Sequence, residues 1–264
     1  MLDQLHRRAI GGNARKLGAA RGDFVAAVEV PLAHLLCCID ALRQAVHDVG
    51  GARATEVFEV AFRMDDPDQL ADMAERIFSA GFVWDVIDKK WPGFEEAFLG
   101  FNPKRLLFQP ADYWEGLVSD KRIVRHPGKI KAVRENAKFV LDIAREHGSF
   151  GKFLAAWPAD DQVGLMEVLA KRGTRLGGFS GQYFLRFLGW DAFVLQGDVL
   201  ACLRDSGVAI GTGTSKKDLR AAQAQFNAWK KESGLPIAHI SRTCALSIGE
   251  NHAVARLKEL MQLP

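Results

Sequence analysis

The sequence predicts an all-α protein, and three observations lead there. Apolar residues recur at three- and four-residue steps through most of the chain. Runs that alternate apolar and polar residues, as a half-buried strand would, are missing. The breaks between segments carry Asp-Pro, Asn-Pro, Gln-Pro or clustered glycines, which start and stop helices. With 264 residues, 48% hydrophobic and 25% charged, the chain can bury a sizeable core, as one domain or as two lobes around a cleft.

No apolar run reaches the length of a membrane span, and the first dozen residues lack the apolar centre of a signal peptide. A cytoplasmic monomer without a membrane partner is therefore expected. A formal charge of +3 is too small to name a nucleic-acid partner, which only a clustered positive surface can do. The four cysteines, Cys37, Cys38, Cys202 and Cys244, form no C-x-x-C pair and have no histidine at ligand spacing. Reduced thiols, with no metal and no cofactor, are the expectation.

Taken in order, residues 1–28 are basic and glycine-containing and read as a loose arm, with 29–264 as the helical domain. Leu32, Leu35, Leu36, Ile39, Leu42 and Val46 fall on one helical face. Asp66 or Asp68 can cap a helix carrying Leu70, Met73, Ala74 and Ile77. After Ser79-Ala80-Gly81-Phe82-Val83-Trp84 a further helix carries Val86, Ile87, Trp91, Phe94 and Phe98. Asn102-Pro103 and Gln109-Pro110 each start a short helix.

From Pro127 to His147 a two-faced helix is predicted, with Ile130, Val133, Ala137, Val140, Leu141 and Ala144 inward. Lys131, Arg134 and Lys138 occupy an adjacent face, and Lys121, Arg122, Arg125, His126 and Lys129 stand at its entrance. That pattern reads either as a solvated surface or as a phosphate contact. Two short helices, 150–157 and 161–171, follow, and later ones are expected over 215–232, 237–248 and from His252.

Between them lies the most informative stretch, Leu176 to Arg204. Gly177, Gly178, Phe179, Ser180 and Gly181 form a glycine-rich turn feeding an apolar helix from Gln182 to Leu188. Bare backbone N–H groups at such a helix start make a seat for a phosphate. A second turn at Gln196-Gly197 leads to Asp198, which can cap the next helix, Val199 to Leu203, while keeping one carboxylate oxygen outward.

Hairpin, glycine turn and aspartate together resemble the helix-hairpin-helix DNA glycosylases, whose signature is an L-P-G-x-G hairpin followed by a Gly/Pro-rich loop and an aspartate. Gly177 stands where that signature has proline, and Ser180 where it has its second glycine, with Gly181 next. A narrower resemblance is to the bacterial 3-methyladenine DNA glycosylase I family. Its A-G-L-S-W reads here as Ala80-Gly81-Phe82-Val83-Trp84, and its K-R-x-x-[FY]-x-x-A-F as Lys89-Lys90 through Phe94 to Ala97-Phe98. Its I-x-R-H-x-x-K-I-x-A-x-x-x-N-A reads as Ile123 to Ala132, ending Asn136-Ala137. The resemblance covers roughly residues 66 to 205.

It implies a two-lobed, helix-hairpin-helix glycosylase-like helical fold that binds damaged double-stranded DNA. The implied reaction is hydrolysis of the N-glycosidic bond of a flipped, 3-methyladenine-like alkylated base. Phe82 takes the place of the side chain that wedges into the stack, and Trp84 that of the aromatic under the extruded base. Asp198 takes the place of the catalytic carboxylate. Gly177, Gly178, Ser180, Gly181, Gln182, Arg125, His126, Lys129 and Lys131 would hold the DNA backbone. Where bifunctional relatives carry a Schiff-base lysine this chain has Gln182-Tyr183, which implies simple hydrolysis.

The chain departs from the family at several points. The family's N-terminal C-x-W and Y-H-D-x-E-W segments are missing here. The base-reading glutamate, eight residues before the tryptophan, is Arg76 here. Glu75, about 100° around a helix, is the candidate substitute. The family's zinc-binding Cys and His set near the chain ends has no equivalent. These departures motivate an alternative, a catalytically inactive DNA-damage-binding protein of the same fold.

Overall fold

The computed structural model describes residues 66–248. The expected N-terminal arm, the helix around residues 31–49 with Cys37 and Cys38, and the helix from His252 lie outside them. Among the described residues the elements are α-helices and one short 3-10 turn, with no strand, as the all-α reading expects.

Helix α1 (Asp66–Ser79) buries Leu70, Met73, Ala74 and Ile77, the four residues its periodicity points inward. Helix α2 (Trp84–Ala97) turns Ile87, Phe94 and Ala97 inward and leaves Val86, expected inside, exposed. After a 3-10 turn (Leu99–Phe101), α3 (Pro103–Leu107) starts on its proline, with the Asn102 side chain accepting from the Arg105 N–H at 3.1 Å. Helix α4 is Ala111–Leu117, and α5 (Pro127–His147) runs the full expected length. Its buried stripe includes Ile130, Val133, Ala137 and Val140, but Ile143 replaces the half-buried Leu141 and Ala144.

Ser149 and Asp161 cap α6 (Phe150–Ala156) and α7 (Gln162–Arg172), each accepting from the N–H three residues on. Then come α8 (Gly178–Phe187), α9 (Gly197–Asp205), α10 (Lys216–Ser233) and α11 (Ile237–Leu246). Two expected boundaries shift. Helix α8 begins at Gly178 rather than Gln182, so the glycine-rich turn is itself the first turn of the helix. Helix α9 begins at Gly197, so Asp198 lies inside the first turn and Gln196, not Asp198, is the N-cap.

Buried side chains form two clusters. One wraps α1 and α5, which lie along each other, and takes in α2 to α8. Its centre is aromatic: Trp91 stacks on Phe101 (centroids 5.3 Å, 11° between planes), and Phe78 meets Phe94 edge-on at 4.7 Å. The other joins Phe193 and Val163 to α9, α10 and α11, with Phe193 stacked on Phe226 at 5.0 Å. Leu219 packs against both. Cys202 and Cys244 are buried thiols of this second cluster, facing each other where α9 meets α11.

Asp72, on α1, carries an Oδ2 buried without a hydrogen-bond partner, and its pKa rises to about 6. Burial is the main cause, with Glu75 and Asp68 adding repulsion and Arg76 partly offsetting them. A carboxyl raised in the folded state favours folding below its unfolded value of 3.8, and this contribution is lost as pH rises to about 6. Asp72→Asn is therefore expected to raise stability by roughly 1–3 kcal/mol at pH 7.5. The gain should vanish below about pH 4 when unfolding is followed with denaturant across that range.

Candidate functional site

The turn joining α1 to α2 presents Phe82 (41% exposed), Val83 and Trp84 (42%) at the surface. Large apolar groups grouped this way on one turn are rare without a partner. Trp84 meets Tyr183 of α8 edge-on, with centroids 5.5 Å apart, and Phe187 at 5.7 Å. Gln196 donates to the Tyr183 hydroxyl from the residue before Gly197-Asp198. A continuous line of contacts therefore runs from the aromatic turn to the start of α9. The Asp198 carboxylate is exposed, makes no cap hydrogen bond and has no ion-pair partner among the described residues. The expected cap role is thus not the one it plays.

Arg76, at the position eight before Trp84, is only 4% exposed through its side chain. Its guanidinium lies 5.0 Å from the Trp84 ring centroid and 4.1 Å from that of Phe187, and it pairs with Glu75 through Nη2. Nε and Nη1 are buried without a hydrogen-bond partner. Glu75 points sideways to Arg76, so the space against the buried side of Trp84 holds a cation rather than a carboxylate.

Lys129, expected on the DNA, is instead buried. Its ammonium donates to the carbonyls of Phe78 (3.0 Å) and Ala80 (2.6 Å) and sits 4.5 Å from the Phe82 ring centroid. It thus satisfies the open carbonyls at the C-terminus of α1 and pins the exposed turn. Burial, with Arg175 nearby, pushes its pKa down. Lys129→Met keeps the stem but removes both donors. It is expected to lower stability by about 1–2 kcal/mol in a urea titration.

Gln182 is also buried, accepting from the Leu195 N–H at 2.7 Å, so it ties α8 to the segment before α9 instead of facing a ligand. Gly181 is buried as well, close against the Leu176 carbonyl. Gly177 and Gly178 are exposed and Ser180 partly so, and no side chain caps the first turn of α8. The first N–H groups of that turn therefore have no side-chain acceptor.

The hairpin lies beside the start of α5: Arg175 Nη2 would stand 2.9 Å from a Cβ on Gly128. His126 accepts from the Lys129 N–H through Nδ1, at 3.3 Å, which leaves Nε2 as a donor in the neutral ring. Arg125 and Lys131 are exposed, Lys131 loosely paired with Glu135 at 3.5 Å. Arg134 stacks on Trp114 of α4, 5.6 Å from its centroid.

Two residues that position the hairpin went unrecognised in the sequence. Arg175 adds a cation at the hairpin (φ 59°). Asn136, fully buried, both donates to and accepts from the Thr174 backbone, at 3.0 and 2.8 Å. Its place at the end of the third motif segment, inside the apolar stripe of α5, was the available signal.

A cavity of about 410 Å³ opens between α8, α9 and α11, and Tyr183 and Phe187 form part of its wall.

Residues 56–169 match the family model described as methyladenine glycosylase. The DNA-3-methyladenine glycosylase 1 of Escherichia coli (strain K12) is 32% identical over 75 residues. The DNA-3-methyladenine glycosylase of Haemophilus influenzae is 29% identical over 75 residues. Each alignment covers 28% of this chain and 40% of the relative, so the chain spans two-fifths of the curated relatives it matches. Among solved structures, the 3-methyladenine DNA glycosylase I from Staphylococcus aureus is 27% identical with a TM-score of 0.43, covering 48% of this chain and 77% of that one. A crystal structure of a 3-methyladenine DNA glycosylase I is 24% identical with a TM-score of 0.41, covering 48% and 80%.

Proposed function

We propose, on the premise that residues 56–169 make this chain a divergent relative of the methyladenine glycosylases, that it is a monofunctional DNA base-excision glycosylase. The substrate is duplex DNA carrying an alkylated base of the 3-methyladenine kind. The observation that carries the reading is the line of contacts Trp84–Tyr183–Gln196. It links the exposed aromatic turn, through α8, to the segment that carries the unengaged carboxylate.

In this reading the outward N–H groups of α8, with Arg125, His126, Arg175 and Lys131, hold the sugar-phosphate strand without reading sequence. Phe82 fills the gap left by the everted nucleotide, and Trp84 offers its ring to the base as it leaves the stack; together they offset an extrusion cost of a few kcal/mol. Water adds to C1′ as the C1′–N bond breaks, the cationic alkylated base leaves as a neutral molecule with the bonding pair, and the added water gives its proton to solvent. The Asp198 carboxylate stabilises the positive charge that develops on the sugar. No amine is placed to form a Schiff base at Gln182-Tyr183, so the product is an abasic site in an uncut strand.

The test is incubation of the protein with methylated duplex DNA, chromatography of the released bases, and alkaline cleavage of the strand. Free methylated purine and strand breaks that appear only after alkali are expected. DNA binding without any released base would instead support the second reading, an inactive damage-binding protein. The observation in its favour is the Arg76 guanidinium packed where the family carries its base-reading carboxylate.

A further inference from the structure

The side of α1 that carries Arg76 also carries Asp72 and Ser79, spaced four residues before it and three after, so the three stack along one face of the helix. Each has a buried polar atom with no hydrogen-bond partner: Asp72 its Oδ2, Arg76 its Nε and Nη1, and Ser79 its Oγ. Arg76 and Ser79 are each only 5% exposed, so bulk solvent does not complete them. Such atoms are few in native folds, and several in one row call for a missing partner.

The row is electrostatically incomplete as well. Asp68 and Glu75 repel the Asp72 carboxylate, and Arg76, already paired with Glu75, offsets only part of that repulsion. A water molecule could satisfy the Ser79 hydroxyl, but only a positive occupant relieves the crowding at Asp72. Donor and acceptor roles are also fixed, since an ionised carboxylate only accepts and a guanidinium only donates. The occupant therefore presents an N–H donor and an acceptor nitrogen, and carries positive charge. An alkylated aminopurine still joined to its sugar has all three. The Trp84 ring, 5.0 Å from the guanidinium, sets an aromatic surface at the Arg76 end of the row.

We propose that Asp72 is the carboxylate that reads the everted base, accepting from its amino group, while Arg76 donates to a ring nitrogen beside it. The inference rests on the reading of the chain as a base-excising enzyme and names a specificity-determining pair for that site. Position 76, where the family has its base-reading glutamate, holds the guanidinium here. The carboxylate stands one helical turn, about 6 Å, nearer the start of α1. Glu75, turned sideways onto Arg76, holds that guanidinium in place rather than meeting the base. A buried carboxyl that opposes folding at neutral pH and has an oxygen to spare is the mark of a functional group.

The test uses the full chain and free 3-methyladenine at pH 7.5, with affinities and backbone amide shifts measured by NMR titration. Shift changes are expected to group over residues 69–84. Asp72→Ala should weaken binding about tenfold, and Asp72→Asn, which keeps an acceptor but not the charge, about fivefold. Both variants lose an unpartnered buried charge and should unfold at a higher temperature than the parent, so lost affinity cannot come from a lost fold. Arg76→Met, which keeps the stem and removes the donors, should weaken binding about fivefold, with its fold checked by circular dichroism. Single-turnover release from methylated duplex should slow about tenfold in Asp72→Ala. Parental affinity in Asp72→Ala, shifts grouped over residues 183–199 and 241–245 instead, or no binding of the base would each overturn the assignment. Release of base by the parent and by Asp72→Ala at one rate would leave the enzyme standing and Asp72 refuted. Asp72-dependent binding of the base, without release of any base from DNA, would do the reverse.

Discussion

Replacing Asp198 by asparagine is expected to slow base release from methylated duplex about tenfold or more while leaving the fold intact. The carboxylate is exposed and takes no hydrogen bond or ion pair among the described residues, and the cap position belongs to Gln196. All that the folded state loses is the favourable meeting of a negative charge with the first turn of α9, worth about 0.3–1 kcal/mol. Asparagine keeps the shape and removes the charge. In the proposed reaction the charge matters far more, because the sugar becomes positive as the base departs. Single-turnover rates at saturating protein isolate this step from product release, and duplex affinity should stay within about twofold. Unchanged excision would remove Asp198 from the chemistry. A large fall in melting temperature would return it to a structural role.

The parts of this molecule that follow from periodicity were legible in the sequence, and those that follow from where a polar side chain ends up were not. Leu70, Met73, Ala74 and Ile77 announce the buried side of α1, and Pro127 to His147 announce α5, because each rests on many residues agreeing on one phase. Lys129 and Gln182 are single polar groups beside such stripes. Residue type alone does not separate a side chain aimed at a phosphate from one turned inward onto backbone groups. The two differ only in tertiary neighbours: the open carbonyls at the end of α1 for Lys129, and the Leu195 N–H for Gln182.

Arg76 is a third case. In the sequence it marks only a missing glutamate, but in three dimensions it fills the space against Trp84 and Phe187. That packing needs Phe187, more than a hundred positions along the chain, to be in place. The cavity beside α11 was invisible for the same reason: Arg242 lies far in sequence from Tyr183 and Gln196.

Gly181→Ala is expected to cost roughly 1–3 kcal/mol, against the usual rule that alanine in place of a helical glycine stabilises. A Cβ at this position would run into the carbonyl oxygen of Leu176, which belongs to the backbone of the hairpin and has no rotamer in which to retreat. Leu176 is itself buried, and the segment before it is fastened by Asn136 to Thr174, so the hairpin cannot move away as a unit without breaking those two hydrogen bonds. The chain must therefore open between Leu176 and α8, where Gly178 turns through a left-handed φ of 58°. Gly197→Ala, in the first turn of α9 with nothing within 4 Å of the added carbon, is the control and should stay within about 0.5 kcal/mol of the parent. Both variants are compared by urea unfolding and by the salt dependence of duplex binding. If the anion seat is the uncapped start of α8, Gly181→Ala should lower affinity and flatten the log–log salt slope by about one phosphate contact, whereas Gly197→Ala should leave the slope unchanged. A stable Gly181→Ala protein with the parental slope would separate the hairpin from DNA binding and move the phosphate contacts to the start of α5.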